Sequence, residues 1–201
     1  SRQPKSFYTP ASDDAEQKDK YTFPLGTTIA AGEYLVVHAN NDDGTTGLHT
    51  GFGLSANGET LTLYRGAADG GASVDAITFG LQVADYSIGR DVHGAWTLNK
   101  PTFGAANVVQ QTGDTQRLII NEWLADTNRL FRDDRIELLN RDALPVAMAG
   151  LRLTDNPVGK PDKHTIAPLS YIAGNGFAVF IPDEETDRGA EHLNFSLDAN
   201  Y

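Results

Sequence analysis

Residues 19–57 read DKYTFPLGTTIAAGEYLVVHANNDDGTTGLHTGFGLSAN, and residues 162–200 read DKHTIAPLSYIAGNGFAVFIPDEETDRGAEHLNFSLDAN. Laid over each other at an offset of 143, the two segments need no gap and share eleven of 39 positions. Unrelated segments of this length share about two or three, so the match marks an internal repeat. The identities run from Asp19-Lys20 with Asp162-Lys163, through Ile29-Ala30 with Ile172-Ala173 and Val36 with Val179. They continue to His49 with His192, Phe52 with Phe195 and Leu54 with Leu197. Other pairs keep their character, such as Tyr34 with Phe177 and Val37 with Phe180.

Outward from this segment the chain is a series of short apolar runs separated by turn clusters. Candidate strands of the first repeat are Tyr21–Phe23, Glu33–Ala39, Gly51–Ser55, Thr60–Arg65, Ser73–Phe79 and Ser87–Arg90. Those of the second are Leu118–Ala125, Arg135–Asn140, Leu151–Thr154, His164–Ala167, Phe177–Pro182 and Asn194–Leu197. Stretches such as AAGE, NNDDG, SANGE, GAADGG and AGNG punctuate them with residues that favour tight turns. No long segment has a 3.6-residue period. The pattern predicts an all-β sandwich or barrel. Strict alternation places Leu118, Ile120, Glu122 and Leu124 on one face of their strand, and Leu61 and Leu63 inward from Thr60, Thr62 and Tyr64.

Composition narrows the functional classes. The 201 residues carry 16 Lys+Arg against 27 Asp+Glu, a net charge of −11. The excess is even, −5 over residues 1–112 and −6 over residues 113–201. A basic face that could track a phosphate backbone is therefore not expected, and direct nucleic-acid binding is disfavoured. The absence of cysteine excludes disulfides, zinc ribbons and thiol nucleophiles. An 18-residue apolar run is lacking, so no membrane insertion is expected, and SRQPKSFYTP has no apolar signal-peptide core.

The motifs, in order, resemble the lamin tail domain family, an immunoglobulin-like β-sandwich. Ile119-Ile120-Asn121-Glu122-Trp123, Ile136-Glu137-Leu138-Leu139-Asn140 and Gly150-Leu151-Arg152-Leu153-Thr154-Asp155 resemble its opening strands. Tyr21–Ala39 with Leu48–Leu54, and again His164–Pro182 with Glu191–Leu197, resemble its middle. Gly58-Glu59, Val74-Asp75, Asp85-Tyr86-Ser87-Ile88-Gly89-Arg90, Trp96 and Pro101-Thr102 through Asn107 resemble its closing hairpin and end. Arg135 departs from the pattern, standing where an aromatic is usual, and Phe103 interrupts the ending. The resemblance implies tandem partial or permuted units: residues 1–107 as the C-terminal portion of one, a linker at 108–116, and residues 117–201 as the N-terminal portion of the next.

Residues able to carry chemistry receive structural readings. Glu122 and Glu137 could be an acid–base pair, but a structural role beside Asn121 is expected, and no enzyme activity. His49 and His192 lack partners at metal-ligand spacing. The equivalent acidic loops Asn40-Asn41-Asp42-Asp43-Gly44 and Asp183-Glu184-Glu185-Thr186-Asp187 fit no EF-hand register. Their oxygens make Asn40, Asp42 and Asp43 the calcium candidates, with no other cofactor expected. Asp75, Asp85 and Arg90 are expected to tie the last strands together. Ser87 lacks a nucleophile elbow. Gly66–Gly71 falls in a hairpin loop and not before a helix, so no phosphate cradle is expected.

The resemblance to bacterial members implies an extracellular or cell-surface protein whose partners are other protein chains or further repeats. The expected role is structural or adhesive, with an accessory module of a larger extracellular nuclease or phosphoesterase as the alternative. One further expectation concerns assembly. If residues 118–154 complete residues 1–107, the duplicated Thr165–Tyr201 is left to pair with another chain, giving a homo-oligomer or filament.

Overall fold

The computed structural model describes residues 7–9, 20–41, 44–66, 70–125 and 133–197. The fold is almost all β, with seventeen short strands and only two 3-10 turns, Thr115–Arg117 and Thr186–Arg188, among the described residues. The chain divides into two compact units. The first comprises Ser1–Ser55, Glu59–Thr78 and Thr102–Ala106, and the second Ala56–Gly58, Phe79–Pro101 and Asn107–Tyr201. This division follows a different line from a cut at 107–117. Val108–Val109, in the polar stretch read as a linker, forms a strand.

In the first unit, β1 (Phe7–Thr9) lies between β2 (Tyr21–Thr22) and β5 (Glu59–Arg65), and β6 (Ser73–Phe79) completes the order β2-β1-β5-β6. Between β5 and β6, Gly71 N–H donates to the Gly66 carbonyl at 3.2 Å. In the same unit, β3 (Val37–His38) pairs in parallel with β4 (Leu48–His49). The inward–outward reading of β5 is corrected. Thr62 is its one buried residue, and Leu61 and Leu63 are only half-buried.

The second unit holds the larger core. Its main sheet runs β10 (Leu118–Leu124), β11 (Arg135–Asn140), β16 (Phe177–Pro182) and β17 (His192–Leu193). Strand β11 alternates half-buried and buried, so Ile136, Leu138 and Asn140 face inward. They meet Phe180 across β16, with Val146, Met148, Ile166, Ile172, Leu193 and Phe195 packed around them. Each such side chain taken from water contributes about 1.5–3 kcal/mol. Two short pairs cover this sheet's inner face: β12 (Val146–Ala147) with β15 (Tyr171–Ile172), and β13 (Arg152–Leu153) with β14 (His164–Thr165). A three-stranded sheet, β7 (Ser87–Arg90), β8 (Trp96–Lys100) and β9 (Val108–Val109), belongs to the same unit.

Of the closing residues of the first repeat, Asp85–Arg90 and Trp96 therefore share a unit with the opening and middle of the second, whereas Val74-Asp75 and Thr102–Ala106 belong to the first unit. The chain between them docks by main-chain bonds. Gly80 N–H donates to the Pro168 carbonyl and Tyr171 N–H to the Leu81 carbonyl, each at 2.8 Å. Leu81 N–H donates to Ser170 Oγ at 3.1 Å. A Cβ on Gly80 would sit 2.0 Å from that hydroxyl, so only glycine fits this approach.

The 143-residue repeat is visible in three dimensions. β2 falls on β14, and the parallel pairing of His38 with His49 falls on that of Ile181 with His192. Gly26 and Gly32 have positive φ, and so do their counterparts Leu169 and Asn175. The strands expected at Gly51–Ser55 and Asn194–Leu197 form instead at Leu48–His49 and His192–Leu193. Parallel pairing catches the chain at each histidine, before the apolar run begins.

Two expectations are corrected by the pairing. The opening strands cover copy two, because β11 pairs with β16, and the less covered copy is Tyr21–Ser55 rather than Thr165–Tyr201. Among the described residues β10 pairs only with β11. Strict alternation in β10 also fails. A bulge after Ile120 leaves Asn121 without a register partner, so Ile120 and Trp123 oppose Leu138 and Ile136 while Glu122 and Leu124 oppose Glu137 and Arg135. Ile120 and Trp123 thus lie toward the core side, yet are 60% and 70% exposed.

Candidate functional site

Both histidines that the repeat singles out are tied down the same way. His49 Nδ1 lies 2.7 Å from Asn40 Oδ1, and His192 Nδ1 lies 2.7 Å from Asp183 Oδ2. Positions 40 and 183 are themselves repeat equivalents. Each histidine fastens the end of the β3–β4 or β16–β17 pair to its own acidic loop. Lys20 and Lys163 repeat a second contact, standing over the Phe52 and Phe195 rings at 5.8 and 5.0 Å.

The acidic loops differ in what their oxygens do. Asp183 is committed on both sides: Oδ1 accepts from Glu185 N–H at 3.1 Å, and Oδ2 faces His192 and Arg188. In copy one, Asn40 serves His49, while Asp42 and Asp43 lie outside the described residues. No group of three or more acidic, histidine or cysteine side chains poised for a metal occurs among the described residues.

Glu122 and Glu137 do come together, as register partners across β10 and β11. Asn121, freed by the bulge, donates from Nδ2 to Glu137 Oε1 at 2.6 Å. A hollow of about 200 Å³ lies between these carboxylates, Trp123, Leu124, Arg135 and Val179. It contains neither a hydroxyl nucleophile nor a histidine. Asp75, Asp85 and Arg90 divide between the units. Asp75 lies in β6 of the first, and Asp85 occupies a left-handed turn position in the second. Arg90 stacks on the Trp96 ring at 4.1 Å and donates to the Gly94 carbonyl, joining β7 to β8. Ser87 lies in β7 as a half-buried residue.

Two features escaped the sequence reading. A cleft of about 660 Å³ in the second unit is bordered by Leu81–Ala84, Tyr86, Arg135, Tyr171, Phe177 and Glu191. Arg135 is on its wall. The exposure of β10 was the second. Its alternation looked like a half-buried strand, but Ile119, Ile120, Trp123 and Leu124 are all exposed, and its outer edge carries no strand among the described residues. The signal available was the pair of adjacent isoleucines, which puts apolar groups on both faces.

No family model matches the chain, and no curated protein or solved structure matches it. No helix among the described residues is long and apolar enough to cross a membrane.

Proposed function

We propose that this chain is a non-enzymatic structural and adhesive module of an exported tandem-repeat protein, an immunoglobulin-like β-sandwich of lamin-tail type that joins its neighbours by strand complementation. One observation carries the reading. Two copies of one segment share pairing, histidine clasp and cation–π contact, and β1 stands beside β2 as β13 stands beside β14, but among the described residues only copy two has strands in the places of β11 and β12. A repeat whose second copy is completed by opening strands leaves the first copy suited to the same completion from elsewhere. The motif order described above supports the lamin-tail type, and the resemblance alone suggests the exported setting.

Light scattering across concentration tests the assembly, and hydrolysis assays on phosphodiester and phosphomonoester probes test the absence of catalysis. Mass that grows with concentration, with no turnover above background, is the expected outcome. A monomer at every concentration, or turnover abolished by Glu137→Gln, overturns the reading.

A further inference from the structure

We infer that the edge of β10 facing away from β11 in one chain pairs with the edge of β3 facing away from β4 in a second copy of the same chain, so that copy one is covered by Ile120 and Trp123 of its neighbour. This rests on the strand-complementation reading and names its donor and acceptor.

The acceptor is defined by what covers its equivalent. In copy two, β16 has β17 on one side and β11 on the other, and Ile172 is sealed by Val146 of β12. In copy one, β3 has β4 on the side corresponding to β17. No strand among the described residues takes the place of β11, and Ile29, the equivalent of Ile172, is 59% exposed. The face that needs covering is thus apolar, and the missing neighbour is a strand of alternating apolar residues.

The donor is chosen by elimination among the long strands of the main sheet. β11 and β16 are paired on both edges, whereas β10 is seven residues long and paired on one. It has none of the Lys or Pro residues that blunt natural edges. Its bulge turns Ile120 and Trp123 toward the core side of the sheet, where they stand exposed. Joined to β3, the sheet continues, and these two side chains lie over the face that carries Ile29. Donor and acceptor are different surfaces, so the contact is heterologous and propagates from chain to chain.

Complementation by mixing tests this. Trp123→Lys blocks the donor and Ile29→Lys the acceptor, both at exposed positions. Circular dichroism confirms that each variant keeps the wild-type fold. Light scattering of the wild type is expected to show mass rising steadily with concentration, and each variant alone is expected to remain monomeric. A 1:1 mixture is expected to double in mass and stop there, because one intact donor meets one intact acceptor. If the wild type assembles and both variants still assemble alone, this donor–acceptor pair is overturned while strand complementation survives. If the mixture stays monomeric, the contact is not heterologous and the pair is likewise overturned. A wild type that never assembles overturns both.

Discussion

Ile29 and Ile172 are the same residue at the same place in two copies of one segment, and they are 59% and 2% exposed. Their local settings agree in the preceding turn, the following parallel strand pair and the histidine clasp. The difference is the strand opposite: Ile172 has Val146 across from it and belongs to the core around Phe180, whereas Ile29 has no such partner among the described residues. Outer-face positions show no such split, since Tyr34 and Phe177 are 56% and 58% exposed. The segment's own sequence sets its backbone path and its outer surface. Burial of its inner face is set by residues elsewhere in the chain.

The largest expected effect follows directly. Ile172→Ala removes buried methyl groups from a filled core and should cost about 2–5 kcal/mol. Ile29→Ala should change stability by no more than about 0.5 kcal/mol, the range for exposed sites. Denaturant unfolding followed by tryptophan fluorescence reads the first, because both tryptophans belong to the second unit. Circular dichroism reads the second. Equal losses at the two positions would mean that Ile29 is covered in solution, and a loss at Ile29 that grows with concentration would identify a neighbouring chain as the cover.

The histidine clasps sharpen the comparison on a smaller scale. His192 meets a carboxylate and is buried, while His49 meets a neutral amide and is half-buried. Hydrogen bonds to a charged group contribute about 1.5–3 kcal/mol against about 0.5–1.5 for neutral pairs. His192→Ala should therefore destabilise more than His49→Ala. Asp183→Asn, which rebuilds copy one's pair in copy two, should bring the cost of losing His192 closer to that of losing His49, the greater burial of His192 accounting for the remainder. A double-mutant cycle measures it.

How much of this could be read from the chain follows from the same contrast. The repeat, the turns and the longer strands β6, β7, β11 and β16 were legible because their signals are local: alternation, glycine and asparagine. Strands β12 and β15 were not, since two-residue elements exist only because Val146 finds Ile172. The bulge at Asn121 was hidden for a related reason: a period-two pattern cannot show where one extra residue reverses the faces. Which copy would be covered was beyond local reading altogether, because both copies carry the same isoleucine. Of the candidate site residues, the clasp roles of His49 and His192 could be anticipated from Asn40 and Asp183 at matching positions. The exposure of Trp123 could not, since it depends on what fails to pack over β10.

Backbone strain gives a smaller test. Gly26 and Leu169 are equivalents with φ of 89° and 52°. Left-handed backbone costs a residue with a Cβ about 1–2 kcal/mol, which copy two sustains within its packed core. A Cβ on Gly26 meets open space, so Gly26→Leu should cost about 1 kcal/mol through the backbone alone. Asn175→Gly, at a position where asparagine tolerates this conformation, should shift stability by only a few tenths of a kcal/mol. A larger effect at Asn175 would show that its side chain, and not its backbone, holds the turn.

The smallest effect separates the copies by pH. Tyr21 and His164 are equivalents, and only the second titrates near neutrality. Burial holds the His164 imidazole below its ordinary value of 6.5, and a hydrogen bond with the Asn194 side chain offsets this only in part. The folded form therefore favours neutral His164, and the unfolded chain takes up its proton first as pH falls. The stability due to neutral His164 is complete above pH 6.5 and is lost as the pH drops from there through the folded value. Because the side chain is only partly buried, the loss is modest. His164→Tyr, which installs copy one's residue, should flatten this part of the pH profile of tryptophan-detected unfolding. Asp91 and Asp142 also belong to the second unit, and backbone N–H bonds hold both below the usual carboxylate range. Their contribution is lost only in the more acidic carboxylate region and should survive the substitution. A profile unchanged between pH 7.5 and 5.5 in the variant would assign that slope to groups other than His164.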